Sequence, residues 1–356
     1  MSTIYWSPVN SIMNNKPSGT VVIGQPGSGK TFFLLNVAAN SLLTGCRVIY
    51  LDPKNDAKSL ANIIPDISIT DVNNITPGAL NPFKVFHDVS TNSILSVISC
   101  ICGKLSDKQM VAVSPIVNDF VIKNNKNKEH TTFSMLSDYL YASDNEFAQT
   151  IGTTLKINED SKYGKLIFSD SDSSFKLDRE SHIISLLGMP LPSSLTLEMT
   201  QDEKFSSAIV YIICKMLREI LTEDSKIPVI LIIDEAHVLF SNPAMSNIIW
   251  DFLSMGRSLN VCTVLASQNM SKFPDGIEQL IASKFMFGSS PKEAAEFLNR
   301  FDSSSSGDKF DRPSIVDYIG NVDTGVCFFI DNKNRGGFIK IKSYLDVTSN
   351  PLFKDR

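Results

Sequence analysis

The sequence has little that would place it in a membrane or against a strongly anionic surface. No apolar stretch approaches the ~18 to 20 residues that cross a bilayer, and the N-terminus lacks the charged and then apolar segments of a secretion signal. Positive charge is in deficit, with 33 lysines and arginines against 38 acids and a net charge of −5. This balance excludes recruitment of nucleic acid by a global basic field, so any DNA contact must come from a local patch.

Cysteine is also sparse, and its pattern argues against a metal site. The six cysteines contain no C-x-x-C pair, and most lie in apolar runs, where cysteine behaves as a small hydrophobic residue. We therefore expect a reducing, cytoplasmic environment, with any membrane association made through a partner. A hydrophobic content of 43% over 356 residues is enough for a substantial core.

One segment near the N-terminus carries a specific binding motif. Residues 24–31 read Gly-Gln-Pro-Gly-Ser-Gly-Lys-Thr and match the pattern G-x-x-x-x-G-K-[ST] at every fixed position. The β-branched, apolar residues 20–23 before it predict a buried strand, and the apolar run Phe32–Leu43 after it predicts a helix that stops at Gly45. Strand, loop and helix occur in the order that a phosphate-binding loop requires. The motif predicts binding of a nucleoside triphosphate.

The chemistry of this loop follows from its residue types. Glycines allow backbone N–H groups to turn inward around phosphates, and the N-terminus of the next helix adds partial positive charge. The Lys30 ammonium is expected to reach the β- and γ-phosphates, and the Thr31 hydroxyl to ligate Mg²⁺. ATP and Mg²⁺ are therefore the expected cofactors. The residues assigned to nucleotide binding are Gly24, Gln25, Pro26, Gly27, Ser28, Gly29, Lys30, Thr31 and Phe32.

The rest of the chain alternates strand and helix patterns. Further strands are predicted at 47–52, 182–187, 229–233, 261–267 and 284–288. Helices are predicted at 206–222, 243–254, 276–282 and 291–301, with a β-hairpin at 325–341. This alternation predicts an α/β fold of the P-loop NTPase (RecA-like) kind, in which helices flank a mostly parallel central sheet.

A purely helical pattern interrupts this alternation from about Ser90 to Asp160. We interpret residues 90–160 as a helical insertion domain, and residues 1–89 and 161–356 as the P-loop ATPase core. Because the insertion has no paired acids beside a phosphate-binding loop, we expect it to contact partners or neighbouring subunits. Its lysine-rich run 123–128 is interpreted as a solvated loop, with a nucleic-acid contact as the alternative.

A buried-strand pattern later in the chain ends in two acids. The apolar run Val229–Ile233 is followed directly by Asp234 and Glu235. The first acid can hold the Mg²⁺ shell and the second can orient or activate water, which favours ATP hydrolysis over kinase or GTP-switch chemistry. Acids that only cap the next helix are the structural alternative. His237 completes a helicase-like Asp-Glu-Ala-His, but the helicase motifs that should follow are missing.

Two further polar residues complete the expected site. Gln268 follows the strand predicted at 261–267, where an amide can lie beside the γ-phosphate and sense its cleavage; a loop cap is the alternative. Arg257 is expected in a turn made by Gly256, from which it can reach a neighbouring subunit's nucleotide as an arginine finger. An ordinary surface arginine is the alternative there, and Arg300 and Arg335 are rival candidates. The predicted catalytic residues are Lys30, Glu235, Gln268 and Arg257, and the predicted metal ligands are Thr31 and Asp234.

Several motifs follow one another in an order that resembles a known group of motors. In chain order they are the phosphate loop, Asp52-Pro-Lys-Asn-Asp56, Leu80-Asn81-Pro82-Phe83, Asp234-Glu235, Gly256-Arg257 and Ala266-Ser267-Gln268. This order resembles HerA/FtsK-type motors. Within that group the chain looks most like the ATPase domain of the assembly ATPase of type IV secretion and conjugation systems, the VirB-four or TraC class. The Asn-Pro-Phe element, the helical insertion and the C-terminal hairpin point to that class.

The resemblance implies a role for individual residues and an assembly. It assigns Arg257 as the finger that acts in trans and Gln268 as the sensor. We expect a homo-hexamer when the protein is active and a monomer in isolation. Family members are commonly longer, with an extra N-terminal domain, so we expect an excised ATPase domain or a short relative. Gln25 and Pro26 stand where a threonine is frequent in the family, a departure that should leave phosphate binding intact.

The leading hypothesis is an ATP-hydrolysing motor that energises a type IV secretion or conjugation apparatus. It would work in the cytoplasm, held at the membrane by other subunits of the channel. The first alternative is a DNA-pumping translocase or coupling protein, for which the tail residues Lys333, Arg335, Lys340 and Lys342 are the candidate phosphate contacts. A nucleotide-gated scaffold without hydrolysis is the alternative of another class, and the intact phosphate loop and acid pair argue against it.

Overall fold

The computed structural model is built around one sheet of nine strands in the part of the chain that it describes. That part comprises residues 4–62, 64, 67–124, 127, 130–177, 181–192, 199–223, 226–241, 243–301 and 312–343. The strands are β1 (Gly19–Ile23), β2 (Arg47–Asp52), β3 (Ile67–Asp71), β4 (Ser181–Ser185), β5 (Val229–Ile233), β6 (Val261–Ser267), β7 (Ile281–Phe287), β8 (Val326–Ile330) and β9 (Gly336–Lys340).

Helices flank the sheet and connect its strands. They are α1 (Val9–Met13), α2 (Lys30–Leu43), α3 (Pro82–Val85), α4 (Thr91–Cys102), α5 (Asp107–Asn124), α6 (Phe133–Tyr141), α7 (Glu146–Ile157), α8 (Gly164–Phe168), α9 (Gln201–Glu223), α10 (Pro243–Leu259), α11 (Pro291–Phe301) and α12 (Arg312–Asn321). Among the described helices, none combines the length and the apolar character needed to cross a membrane.

The strand order decides which loops meet. Across the sheet the order is β3-β4-β2-β5-β6-β1-β7-β8-β9. Strands β1 to β7 pair in parallel, and β8 and β9 extend the sheet as an antiparallel hairpin. Strand β6 therefore lies between β1 and β5, and β2 lies on the other side of β5. The loops that follow these four strands emerge together at the carboxyl ends of the strands, where open α/β sheets bind ligands. The predicted α/β fold with a mostly parallel sheet is confirmed.

The central strands are buried on both faces. In β1, Val21 and Ile23 point into a core shared with α4 and α9, while Val22 points into a second core shared with α2. Strands covered on both sides must be apolar at consecutive positions. For that reason β2, β5 and β6 coincide with strands predicted from apolar runs alone.

Elements at the edges depart from the sequence predictions. The helix predicted at 276–282 is wrong, because a short 3₁₀ turn covers Ile277–Leu280 and β7 begins at Ile281. Strand β3 has no counterpart among the predicted strands, since its partly exposed residues at the sheet edge form no continuous apolar run. The run 123–128 lies partly outside the described residues. Its first residue, Lys123, belongs to α5 and pairs with Asp119 at 2.6 Å.

In its described residues, the segment interpreted as an insertion consists of helices and short connecting loops. Helices α4 to α7 fall within it, and α8 follows shortly after its predicted end. Apolar residues of these helices, such as Ile98 and Leu136, belong to the same buried cluster as Ile209 of α9 and Ile233 of β5. The insertion therefore packs against the sheet-bearing part through a continuous core. Its boundaries as a separate domain stay a prediction.

The region around Arg257 differs from the predicted turn. Gly256 and Arg257 belong to the last turn of α10, which continues to Leu259. Gly256 is needed for close packing, because a Cβ atom there would lie 2.1 Å from Ser18 Oγ and 2.6 Å from the Val261 carbonyl oxygen. The glycine thus allows the end of α10 to approach the segment before β1, and it does not reverse the chain direction.

This close approach gives a stability prediction. Gly256→Ala should lower the free energy of unfolding by about 1 to 3 kcal/mol, because a methyl group there overpacks a contact that involves backbone atoms. Gly320→Ala in α12 is the matched control. A Cβ atom at Gly320 meets no described atom within 4 Å, so alanine should be neutral or stabilise by up to ~1 kcal/mol through helix propensity. Urea unfolding measures both, and equal midpoints for the two variants would contradict the packing explanation.

Candidate nucleotide-binding site

The predicted phosphate loop lies between β1 and α2, in the required order of strand, loop and helix. Gly27 and Gly29 have φ angles of 77° and 102°, in the left-handed region that glycine tolerates best. The first residue of α2 is Lys30, whose Nζ donates a hydrogen bond to the Gly24 carbonyl oxygen at 2.8 Å. The loop therefore curls around the lysine head at a helix N-terminus, which is a geometry suited to phosphate.

Three neighbouring segments hold this loop in place. The Gly24 amide donates to the Ser267 carbonyl at the end of β6, and the Gln25 amide to the Gly288 carbonyl after β7, at 3.2 and 2.9 Å. From the loop before β8, the Gly325 amide donates to the Ser28 carbonyl at 3.1 Å. In the same loop, Thr324 Oγ1 donates to the Gly27 carbonyl at 3.3 Å. The phosphate loop is thus braced by the sheet and by the C-terminal hairpin.

The acid pair lies two strands away from this loop, at the end of β5. Asp234 and Glu235 are 5% and 7% exposed. Burial, together with the negative charge of Glu235, raises the pKa of Asp234 to about 6. Glu235 has a φ of 50°, a left-handed conformation that costs a non-glycine residue about 1 to 3 kcal/mol and that concentrates at functional sites.

Two donors hold one oxygen of Glu235. Oε1 accepts hydrogen bonds from Lys54 Nζ and from Gln268 Nε2, the latter at 2.7 Å. Burial alone would raise the pKa of Glu235, but these hydrogen bonds outweigh it and leave the pKa below its usual value. Glu235 is therefore held as a carboxylate. Its other oxygen, Oε2, has no hydrogen bond from the described residues, and His237 Nδ1 lies 3.4 Å from it.

Lys30 belongs to the same group of buried charges. Its side chain is 6% exposed, and burial lowers its pKa although the charges of Asp234 and Glu235 act in the opposite direction. Gln268 follows β6, which lies between the strands that carry the phosphate loop and the acid pair. The structure therefore brings Lys30, Asp234, Glu235 and Gln268 together at the carboxyl ends of the central strands.

The donor set near the loop suits Mg²⁺. Asp234 offers a buried carboxylate that lacks full compensation by cations, and Thr31 places a hydroxyl in the first turn of α2. Within the described residues, no group of three or more His, Cys, Asp or Glu side chains is arranged to hold a metal alone. Mg²⁺ is commonly bound by one or two protein oxygens together with substrate phosphates. The residues present fit a metal that arrives with the nucleotide.

The predicted arginine finger lies far from this group within one chain. Arg257 is exposed at the end of α10, and its NH1 donates to the Asn15 carbonyl at 3.4 Å, before the start of β1. The phosphate loop follows the opposite end of β1. Arg300, the first rival candidate for the finger, has a side chain that is 10% exposed. It forms ion pairs with Asp275 and Glu278, which gives it a structural role. The other rival, Arg335, pairs with Asp331 in the hairpin.

Sequence reasoning missed two contacts of Glu235. Lys54 lies in the loop after β2 and is 181 positions away from Glu235 in the chain. His237 contacts Glu235 on one side and Ser267 Oγ, at 3.1 Å, on the other. Lys54 belongs to the Asp52–Asp56 motif, which indicated a loop after β2 but gave no sign that Lys54 contacts the acid pair. Only the adjacency of β2 and β5 identifies it.

Solved structures with the same fold have low sequence identity to this chain. VirB4 of Thermoanaerobacter pseudethanolicus gives a TM-score of 0.74 at 16% identity, over 93% of this chain and 91% of that protein. The bacterial conjugative coupling protein TrwBdeltaN70, in an unbound monoclinic form, gives 0.59 at 17% identity, over 94% of this chain and 87% of its own. Its trigonal form in complex with sulphate gives 0.61 at 18% identity, over 91% and 84%. A comparison with curated protein sequences gave no match.

A family model matches almost the full length of the chain. The model describes an AAA-like domain and covers residues 11–350, which include the phosphate loop, the acid pair, Gln268 and the C-terminal hairpin. The predicted resemblance is confirmed at the level of family and fold, because the family model matches most of the chain and VirB4 and the conjugative coupling protein share its fold. The chain belongs to the AAA-like domain family.

Proposed function

We propose that this chain is an ATP-hydrolysing motor of a type IV secretion or conjugation apparatus. The observation that carries the proposal is the 2.7 Å hydrogen bond between Gln268 and Glu235, formed at the carboxyl ends of the central strands, where the phosphate loop also lies. It joins a γ-phosphate sensor to the carboxylate that orients water. The fold shared with VirB4 and with a conjugative coupling protein supports the choice of apparatus.

The proposed reaction divides the work among the residues of this site. The backbone of residues 24–29 and Lys30 would bind the phosphates, and Thr31 and Asp234 would hold Mg²⁺, which supplies charge compensation for the phosphates when bound. Glu235, kept as a carboxylate, would orient the attacking water. Gln268 would then report loss of the γ-phosphate to β6 and to Glu235. Because Lys30 and Mg²⁺ compensate the developing charge only partly, an arginine from a neighbouring subunit completes the site.

A DNA-pumping translocase or coupling protein is the second candidate function. The fold match to the conjugative coupling protein and the exposed Lys333, Lys340 and Lys342 of the hairpin region favour it. Binding that weakens steeply with salt would distinguish this candidate, because phosphate contacts release counterions. A nucleotide-gated scaffold is disfavoured, since the water-orienting carboxylate is held beside its sensor.

Lys30 is expected to provide much of the affinity for ATP. Lys30→Ala should weaken ATP binding by roughly 10- to 100-fold, because it removes the cation placed against the β- and γ-phosphates. Calorimetric titration with ATP at low temperature measures the affinity. Lys58→Ala is the matched control, because Lys58 is an exposed lysine outside the site. Equal affinity of the Lys30→Ala variant and the unmodified protein would refute the phosphate-loop assignment.

Glu235 is expected to control the hydrolysis step. Glu235→Gln should bind ATP at least as tightly as the unmodified protein and slow phosphate release by roughly 10²- to 10⁴-fold, because the metal-binding Asp234 remains and the water-orienting charge is lost. Glu146→Gln, on the exposed start of α7, is the control and should turn over normally. Steady-state phosphate release checks both variants. Normal turnover of Glu235→Gln would assign the role to another residue.

A homo-hexamer is the expected active form of the protein. ATPase activity should rise faster than linearly with protein concentration, and Arg257→Ala should lower turnover by roughly 10³- to 10⁵-fold. Arg335→Ala is the matched control in assays without DNA. A mixture of the Arg257→Ala and Lys30→Ala proteins should exceed the activity of either alone, because each supplies what the other lacks at some interfaces. Full activity from a verified monomer would reject a shared site.

A further inference from the structure

Lys54 is placed by a rigid loop at the edge of the site. The loop follows β2, and Asp52, the last residue of that strand, is fully buried. One carboxylate oxygen of Asp52 accepts the Lys54 amide at 3.1 Å, and the other accepts the Ala57 amide at 2.7 Å. The buried acid therefore fixes the backbone at Lys54 and again at Ala57, three positions later. The lysine leaves this loop in a defined direction, toward the end of β5.

The two side chains of the Lys54–Glu235 ion pair differ in exposure to solvent. Its ammonium bonds Oε1 of Glu235, while its side chain is 44% exposed and that of Glu235 is 8% exposed. Gln268 bonds the same oxygen from the opposite strand neighbour, β6. A lysine head on a flexible four-carbon stem can leave such a contact without moving the backbone. Glu235 would keep its bond to Gln268 when that happens.

Two lysines face two acids beside the phosphate loop. Lys30 and Lys54 face Asp234 and Glu235, and each of these acids interacts electrostatically with both lysines. The positive charges of Lys54 and Lys30 also repel each other, so the two ammonium groups are close enough to interact. A bound γ-phosphate adds negative charge next to Lys30. The γ-phosphate would compete with Glu235 for Lys54, whose exposed side chain can move.

We propose that Lys54 is a switch between Glu235 and the terminal phosphate of ATP. Without a γ-phosphate, Lys54 pairs with Oε1 of Glu235 and neutralises its charge, which makes the carboxylate a weak acceptor for the proton of water. When ATP binds, the ammonium moves to the γ-phosphate and releases Oε1 of Glu235 to water, with Gln268 still attached. Lys54 thus makes the site respond to the triphosphate and not to the diphosphate. This inference rests on the proposed function as an ATPase.

The test compares affinities for a non-hydrolysable ATP analogue and for ADP, measured by calorimetry on the full chain with Mg²⁺. Lys54→Gln should weaken analogue binding roughly 5- to 20-fold and leave ADP binding within about twofold. Lys54→Arg should restore most of the preference for the triphosphate, because the charge is kept. Lys58→Gln, in the same segment and exposed, should change neither affinity.

A double variant separates the switch from a structural role. Glu235→Gln should bind the analogue more tightly than the unmodified protein, because Lys54 no longer has to leave an ion pair, and ADP affinity should stay the same. That gain should disappear in Lys54→Gln/Glu235→Gln. A Lys54→Gln protein that loses affinity for both nucleotides equally, or keeps the original ratio, would overturn the switch. If the unmodified protein bound neither nucleotide, the proposed function would fail together with it.

Discussion

Burial of two adjacent carboxylates is the constraint on which the candidate site depends. Asp234 and Glu235 are each less than a tenth exposed, and unpaired charges at that depth are strongly unfavourable. Lys30, at the start of α2, and Lys54, in the loop after β2, compensate them, so both segments must hold their lysines near the end of β5. At Asp234, burial and the charge of Glu235 outweigh the two lysines and raise the pKa to about 6. The site is therefore suited to receive a further cation beside Asp234.

The parallel sheet satisfies this constraint with segments that are distant in sequence. Strand β6 separates the phosphate loop from the acid pair and delivers Gln268 between them, while β2 delivers Lys54 from the far side. The loop before β8 bonds the phosphate loop through Gly325 and Thr324. As a result, the backbone that would contact phosphate is linked directly to the C-terminal hairpin. A shift of either one must strain or break these bonds.

Local patterns in the sequence predict much of this arrangement, and tertiary contacts decide the rest. The phosphate loop, β5 with its acids and β6 with Gln268 were predictable, because each combines a buried apolar strand with polar residues at a fixed offset. Lys54 was not predictable, since its role depends on which strand neighbours β5. Gly256 was misinterpreted as a turn because a glycine chosen for close packing inside a helix has the same local signal as a helix stop.

The position of Arg257 limits how the motor can complete its site. Asn15 and Ser18, which precede β1, are the neighbours of the last turn of α10, so Arg257 lies at the amino end of the sheet. The length of β1 alone separates that end from the phosphate loop by roughly 15 Å. An arginine side chain cannot cover this distance around a buried strand. If Arg257 compensates charge during hydrolysis, it must do so in another subunit, and each hydrolysis event then depends on how two neighbouring chains are placed.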